Sequence, residues 1–207
     1  MLDLDGTLLD SFEPIVYALN QTLMRFGHPQ MTPLEVRRYT GRDDGTIASL
    51  FGDQWEEAHA HYLMLHDRHY LEQTKIMPGA IELLQWLHEE RVPIAIVTNK
   101  GQHRAEVQIA YLGWDTLVSH IVGYRDGHPG KPHPDPVLAA CRHLHVRPEY
   151  SLFIGDGIAD MQAATAASVP AIGLTHSYSD DELSEVGATY CFSDLMEVHR
   201  WLKRPIH

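Results

Sequence analysis

From Ile76 onward the sequence alternates short apolar runs with segments whose apolar residues recur every three or four positions, and few folds accommodate that alternation. The runs 93–98 (PIAIVT), 119–123 (SHIVG), 151–155 (SLFIG) and 170–174 (PAIGL) read as strands buried on both faces, with 189–192 as a weaker edge strand. The intervening stretches 79–90, 102–112, 135–145 and 158–167 carry helical spacing. Pro134-Asp135-Pro136 predicts a helix start, with Asp135 as N-cap and Pro136 at the first helical position. Parallel strands need crossover connections that pack on the sheet faces, so the repeat predicts an α/β fold with a doubly wound parallel sheet.

Residues 14–75 break the pattern, with no convincing strand and three or four helices punctuated by Gly27-His28-Pro29, Thr32-Pro33, Gly41 and Gly52. They predict a small all-α domain inserted after the first strand, leaving residues 1–13 and 76–207 as the α/β core. Such an insertion sits at the C-terminal edge of the sheet, where open α/β folds bind ligands, and is expected to act as a mobile lid.

The balance of 16 Lys plus Arg against 28 Asp plus Glu leaves a net charge of −12, which repels a nucleic-acid backbone. An anionic substrate is then accommodated only where a metal ion, a lysine or helix N-termini concentrate positive charge. No apolar run approaches the roughly 20 residues that span a bilayer. No secretory leader pattern is visible, and Cys141 and Cys191 form no CxxC pair, so a cytoplasmic location is expected.

Asp3-Leu4-Asp5-Gly6-Thr7 puts two carboxylates two residues apart at the end of a strand, a spacing that turns both toward one side. The same Asp-Gly pair also reads as an ordinary turn. Only Met1 and Leu2 precede Asp3, so the expected strand is either unusually short or begins upstream of the numbering. Gly155-Asp156-Gly157-Ile158-Ala159-Asp160 again follows a predicted strand and opens a helix, placing Asp156 at the strand end and Asp160 about one helical turn on. Carboxylates gathered at two strand ends repel one another and call for a cation, and an all-oxygen set suits Mg²⁺. Thr98 and Asn99 end the PIAIVT strand before a helix, where hydroxyl and backbone N–H groups hold phosphate oxygens or simply cap the helix. Lys131 stands alone in a proline-rich loop, either as a surface lysine or as the compensating charge.

In this order, these four pieces resemble the haloacid dehalogenase superfamily, specifically its phosphatases with a helical C1-type cap, phosphoglycolate phosphatases among them. The family's DxDGT motif falls on Asp3, Asp5, Gly6 and Thr7, its Thr or Ser on Thr98, its Lys on Lys131, and its GDxxxD on Gly155, Asp156 and Asp160. The resemblance implies a Rossmann-like core and a small phosphorylated metabolite as substrate. It implies Asp3 as nucleophile, Asp5 as general acid and base, and Mg²⁺ held by Asp3, the Asp5 carbonyl and Asp156 with Asp160 in support. Thr98 and Lys131 would hold the transferring phosphoryl, with substrate binding also expected at Gly6, Thr7, Asn99 and Arg42. Because an aspartate near pKa 4 is a poor acid at neutral pH, Asp5 is expected to be perturbed.

Asp5 argues against hydrolytic dehalogenation, and the absence of a lysine before Lys75 argues against a Schiff-base hydrolase. A β-phosphoglucomutase-like mutase and a pyrophosphatase of the same family stay open, as do a monomer and a homodimer. A receiver-type phospho-acceptor module shares the Asp, Thr and Lys but has no use for Asp5. His59, His61, His66 and His69 fall on one predicted helix; the spacing of His66 and His69 suits a transition metal, but a half-buried helix face accounts for it as well.

Overall fold

A computed structural model describes residues 1–40, 44–125 and 127–204. After an N-terminal segment the chain makes a two-residue strand β1 (Leu9–Asp10). Among the described residues, the α-helices α1 (Phe12–Arg25), α2 (Pro33–Thr40), α3 (Asp44–Phe51), α4 (Trp55–His66) and α5 (Tyr70–Gln73) follow. Strand β2 (Lys75–Ile76) leads back, pairing antiparallel with β1. This ribbon is the stem on which the helical segment stands. Its strands are too short to leave a periodic signal, and the sequence reading contains neither.

The remainder alternates as expected: α6 (Ala80–Glu89), β3 (Ala95–Gly101), α7 (Gln102–Tyr111), β4 (His120–Tyr124), α8 (Asp135–Leu144), β5 (Phe153–Gly155), α9 (Ile158–Ala166), β6 (Ala171–Leu174), α10 (Asp180–Glu185), β7 (Tyr190–Phe192) and α11 (Leu195–Leu202). Strands β3 and β4 pair in parallel, as do β5, β6 and β7. The N-terminal segment joins the two groups. Leu2 donates to the Ala95 carbonyl and accepts from Val97, and on its other side Asp3 donates to the Ile154 carbonyl at 2.9 Å. The short first strand is therefore the centre of the sheet, flanked by β3 and β5.

Period-two side-chain alternation sorts each strand between two cores. Leu2, Ile94, Ile96, Ile154 and Ile172 pack under α6, α7 and α11, whereas Ala95, Val97, Phe153 and Ala171 pack under α8, α9 and α10. Strands buried on both faces need apolar residues at every position, which is why the runs were continuous. A separate cluster of Ile15, Leu19, Leu23, Val36, Phe51 and Ala58 holds the helical segment together.

Two local expectations are corrected. Helix α8 begins at Asp135 with Pro134 at the N-cap, and no side chain caps it, so the start lies one residue earlier than the Asp-Pro signal suggests. Strand β3 runs three residues past Thr98, because its register against β4 shifts between Val97 and Gly101 and pairing resumes at Tyr124.

Candidate active site

The central strand and its two neighbours deliver their C-terminal ends to one edge of the sheet. Asp3 leaves the central strand, Thr98 lies on β3, and Asp156 follows β5, while Lys131 arrives on the loop between β4 and α8. All four are at least nine-tenths buried, as is Asp160 in the first turn of α9. The Lys131 ammonium donates to Asp3 Oδ1 at 2.7 Å, Asp160 Oδ1 at 2.5 Å and the Val97 carbonyl at 2.9 Å. The second Asp160 oxygen accepts from the Gly157 backbone N–H at 2.9 Å, so this carboxylate also closes the positive end of α9. Thr7 Oγ1 donates to Asp156 Oδ1 at 3.0 Å.

Two glycines make this packing possible. Gly6 has φ +90°, and a Cβ there would run into the Asp156 carboxylate; one at Gly155 would lie 2.5 Å from Asp160 Oδ2. Both motifs need glycine because a buried carboxylate occupies the space that a side chain would take.

Asp3, Asp156 and Asp160 offer oxygens within 4.8 Å of one another. Burial foremost, then the charge of Asp160, raises the Asp3 pKa to about 7 despite Lys131. Burial, then Asp3 and Asp160, pushes Asp156 well above the carboxylate range. The Lys131 pKa is raised as well: burial works against its charge, but the Asp160 and Asp3 carboxylates prevail and keep it protonated. One lysine thus faces three buried carboxylates, an excess of negative charge that a hard divalent cation with oxygen ligands would relieve.

Asp5 sits in the tight turn that closes with Leu8 and Leu9 donating to the Leu4 carbonyl. The Asp-Gly pair forms an ordinary turn, and Asp5 lines the same cavity as Asp3 and Asp156. Its Oδ1 accepts from Lys100 Nζ at 2.7 Å, and that ammonium also donates to Gln108 Oε1 at 2.5 Å and lies 5.5 Å from the centre of the Tyr70 ring. Burial alone would raise the Asp5 pKa, but Lys100 overrides it and holds the carboxyl below its ordinary value. Asp5 is therefore perturbed in the direction opposite to the one a general acid needs. Lys100, passed over in the sequence, is a buried cation committed to this carboxylate.

Asn99 lines the same space, yet its amide is occupied: it donates to the Lys131 carbonyl and accepts from the Lys131 N–H, both at 2.8 Å. It fixes the loop that carries the lysine. Thr98 Oγ1 accepts from the Lys100 N–H at 3.1 Å. Arg42 lies outside the described residues. His66 and His69 do not share a helix, since α4 ends at His66. His66 is buried and stacked between Tyr62 and Tyr70, with burial, then Lys100, lowering its pKa.

These residues form the floor of a cavity of about 760 Å³ roofed by the helical segment. The segment is fastened on two flanks. Arg104 on α7 grips Asp67 with two hydrogen bonds of 2.6 Å. Arg38 on α2 donates to the Ser177 carbonyl and to Glu182 at 3.3 Å, while the Tyr178 hydroxyl donates to the Arg38 carbonyl at 2.9 Å.

Residues 1–174 match the family model described as haloacid dehalogenase-like hydrolase. A phosphoglycolate phosphatase of Chromobacterium violaceum is 29% identical over 97% of this chain and 94% of its own length. A validoxylamine A 7'-phosphate phosphatase of Streptomyces hygroscopicus is 32% identical over 97% of this chain and 95% of its own. The crystal structure of a hydrolase from Pseudomonas syringae superposes with a TM-score of 0.85 at 29% identity, covering 97% of this chain and 95% of that one.

Proposed function

This chain belongs to the haloacid dehalogenase-like hydrolases and is a phosphatase; on that premise we propose that it hydrolyses a small-molecule phosphomonoester, with Mg²⁺, through an aspartyl-phosphate formed on Asp3. The observation that carries the proposal is the convergence of Asp3, Lys131, Asp156 and Asp160 at the sheet edge beneath a roofed cavity.

Asp3, the Asp5 carbonyl and Asp156 would hold Mg²⁺, with Asp160 in support through Lys131 and the helix start. When bound, the ion would offset charge on the phosphoryl oxygens and let the carboxylates ionise together. A carboxylate oxygen of Asp3 attacks phosphorus and the bond to the ester oxygen breaks, while Asp5 gives a proton to the departing alcohol. Water then attacks the acyl phosphate, Asp5 takes its proton back, and phosphate leaves with Asp3 restored. Lys131 and Thr98 hold the transferring phosphoryl group. The pair of Asp5 with Lys100 describes a resting arrangement, and Asp5 must exchange that partner for the ester oxygen before it donates.

Residues 14–75 act as a cap that admits substrate and shields the acyl phosphate from bulk water. Phosphoglycolate is one candidate substrate, supported by the name of the Chromobacterium relative; the Streptomyces relative is named for a different ester. The two names agree on the chemistry and differ on the leaving group.

Incubation with a panel of phosphomonoesters is expected to release inorganic phosphate in the presence of Mg²⁺, and EDTA is expected to suppress the release at least about 100-fold. An isomeric sugar phosphate formed only with a bisphosphate activator would favour a mutase. A stoichiometric phosphoprotein without turnover would favour a receiver module.

A further inference from the structure

The cavity is large and apolar for a two-carbon acid. Its volume of about 760 Å³ lies in the range of about 300–1,000 Å³ that encloses drug-sized ligands. The space is not the product of an unseated cap, because the Asp67–Arg104 and Arg38 contacts already fasten the helical segment on both flanks. Away from the carboxylates the wall is built from Ile15, Leu19, Phe51, Trp55, Tyr62 and Leu63. Trp55, Tyr62 and Leu63 are half-buried and line the cavity, and Trp55 stacks its ring on His59 with centroids 4.7 Å apart.

Three of the cations that line the cavity are already engaged, while Arg125, exposed just past β4, lines it as well. Lys100 is taken by Asp5, Arg104 by Asp67, and Arg37 by Asp10 while covering the Phe12 ring at 4.0 Å. Burial, then the nearby Lys100 charge, keeps His66 toward its neutral form. The wall around Trp55 and Tyr62 therefore presents aromatic faces, with Lys100, Arg104 and Arg37 each held by a carboxylate.

From this arrangement we infer that the substrate is the phosphate ester of a bulky alcohol with a ring-sized apolar face, seated against Trp55 and Tyr62, in preference to phosphoglycolate. The inference rests on the phosphatase reading and specifies its leaving group. Stacking on an aromatic wall and desolvation of an apolar face supply binding that a carboxymethyl group lacks.

Three esters of unactivated alcohols test it: 2-phenylethyl phosphate, ethyl phosphate and phosphoglycolate, compared by kcat/KM with Mg²⁺. The first is expected to exceed each of the others at least tenfold. Trp55→Ala is expected to lower its kcat/KM about tenfold more than it lowers that of ethyl phosphate, and Trp55→Phe to recover most of the difference. Ethyl phosphate turnover by each variant reports that the variant is folded. Phosphoglycolate turned over best, or a Trp55→Ala loss equal for all three esters, overturns the inference and leaves the phosphatase intact. No phosphate from any ester overturns the hydrolase reading and the inference with it.

Discussion

Replacing Asp3 by Asn is expected to lower kcat for phosphate release by roughly 10⁴-fold or more, because an amide cannot form the acyl phosphate. The same change is expected to leave the metal-free protein at least as stable as the parent. Burial and Asp160 raise the Asp3 pKa to about 7, so the ionised carboxylate is less favourable in the folded chain than in the unfolded one. The amide removes that charge at nearly constant volume. Lost activity with an undiminished thermal midpoint would identify a chemical role; an equal loss of both would point to a structural one. Phosphate release and thermal unfolding in EDTA, on the same preparation, provide the two readouts.

Lys131→Met is expected to act on both. Lys131 is a buried cation shared by Asp3 and Asp160, and its removal leaves three carboxylates with oxygens within 4.8 Å of one another. Breaking a buried ion pair from one side costs about 3–5 kcal/mol, since the charge left behind has neither water nor partner. Urea denaturation in EDTA is expected to show a destabilisation of that size. Added Mg²⁺ is expected to recover part of it, because the ion supplies the missing positive charge. Activity is expected to fall by about 10²–10³-fold even at saturating Mg²⁺, through loss of a preorganised donor to the phosphoryl group. An unchanged denaturation midpoint would mean that the lysine is not the counter-charge of this cluster.

The parallel sheet was legible because strands buried on both faces leave continuous apolar runs. The two cores could also be read, since Ile94 and Ile96 alternate with Ala95 and Val97. The β1–β2 ribbon was not legible: pairs of two residues have no period, and its register comes from Leu9 meeting Ile76 across the whole helical segment. Asp3, Asp156 and Asp160 were legible because each ends a strand or opens a helix, positions that topology carries to one edge, whereas Lys131, alone in its loop, stood out only as a charge that could offset them.

Lys100 escaped for a different reason. Its partners are Asp5, on a turn far off in sequence, and Gln108, on the following helix, and no spacing rule links the three. Asn99 carried a correct location and a different employment. Its cap-like position next to Thr98 suggested phosphate contact, whereas its amide closes two hydrogen bonds with the Lys131 backbone. The direction of the Asp5 perturbation was likewise a property of Lys100 and not of the motif that contains Asp5. The cavity's apolar wall depends on how α1, α3 and α4 pack around Phe51 and Ala58, and a helical pattern alone does not show which apolar residues are left facing the gap.

The central claim is that Asp3 carries the phosphoryl group between substrate and water. Acid-quenching the enzyme within the first turnovers, digesting it and sequencing the peptides by mass spectrometry tests this most directly. The account predicts one phosphoryl group on the N-terminal peptide, on Asp3, that disappears once the substrate is exhausted and is absent from Asp3→Asn. A phosphoryl group on another residue, or steady phosphate release with Asp3 never modified, would contradict it.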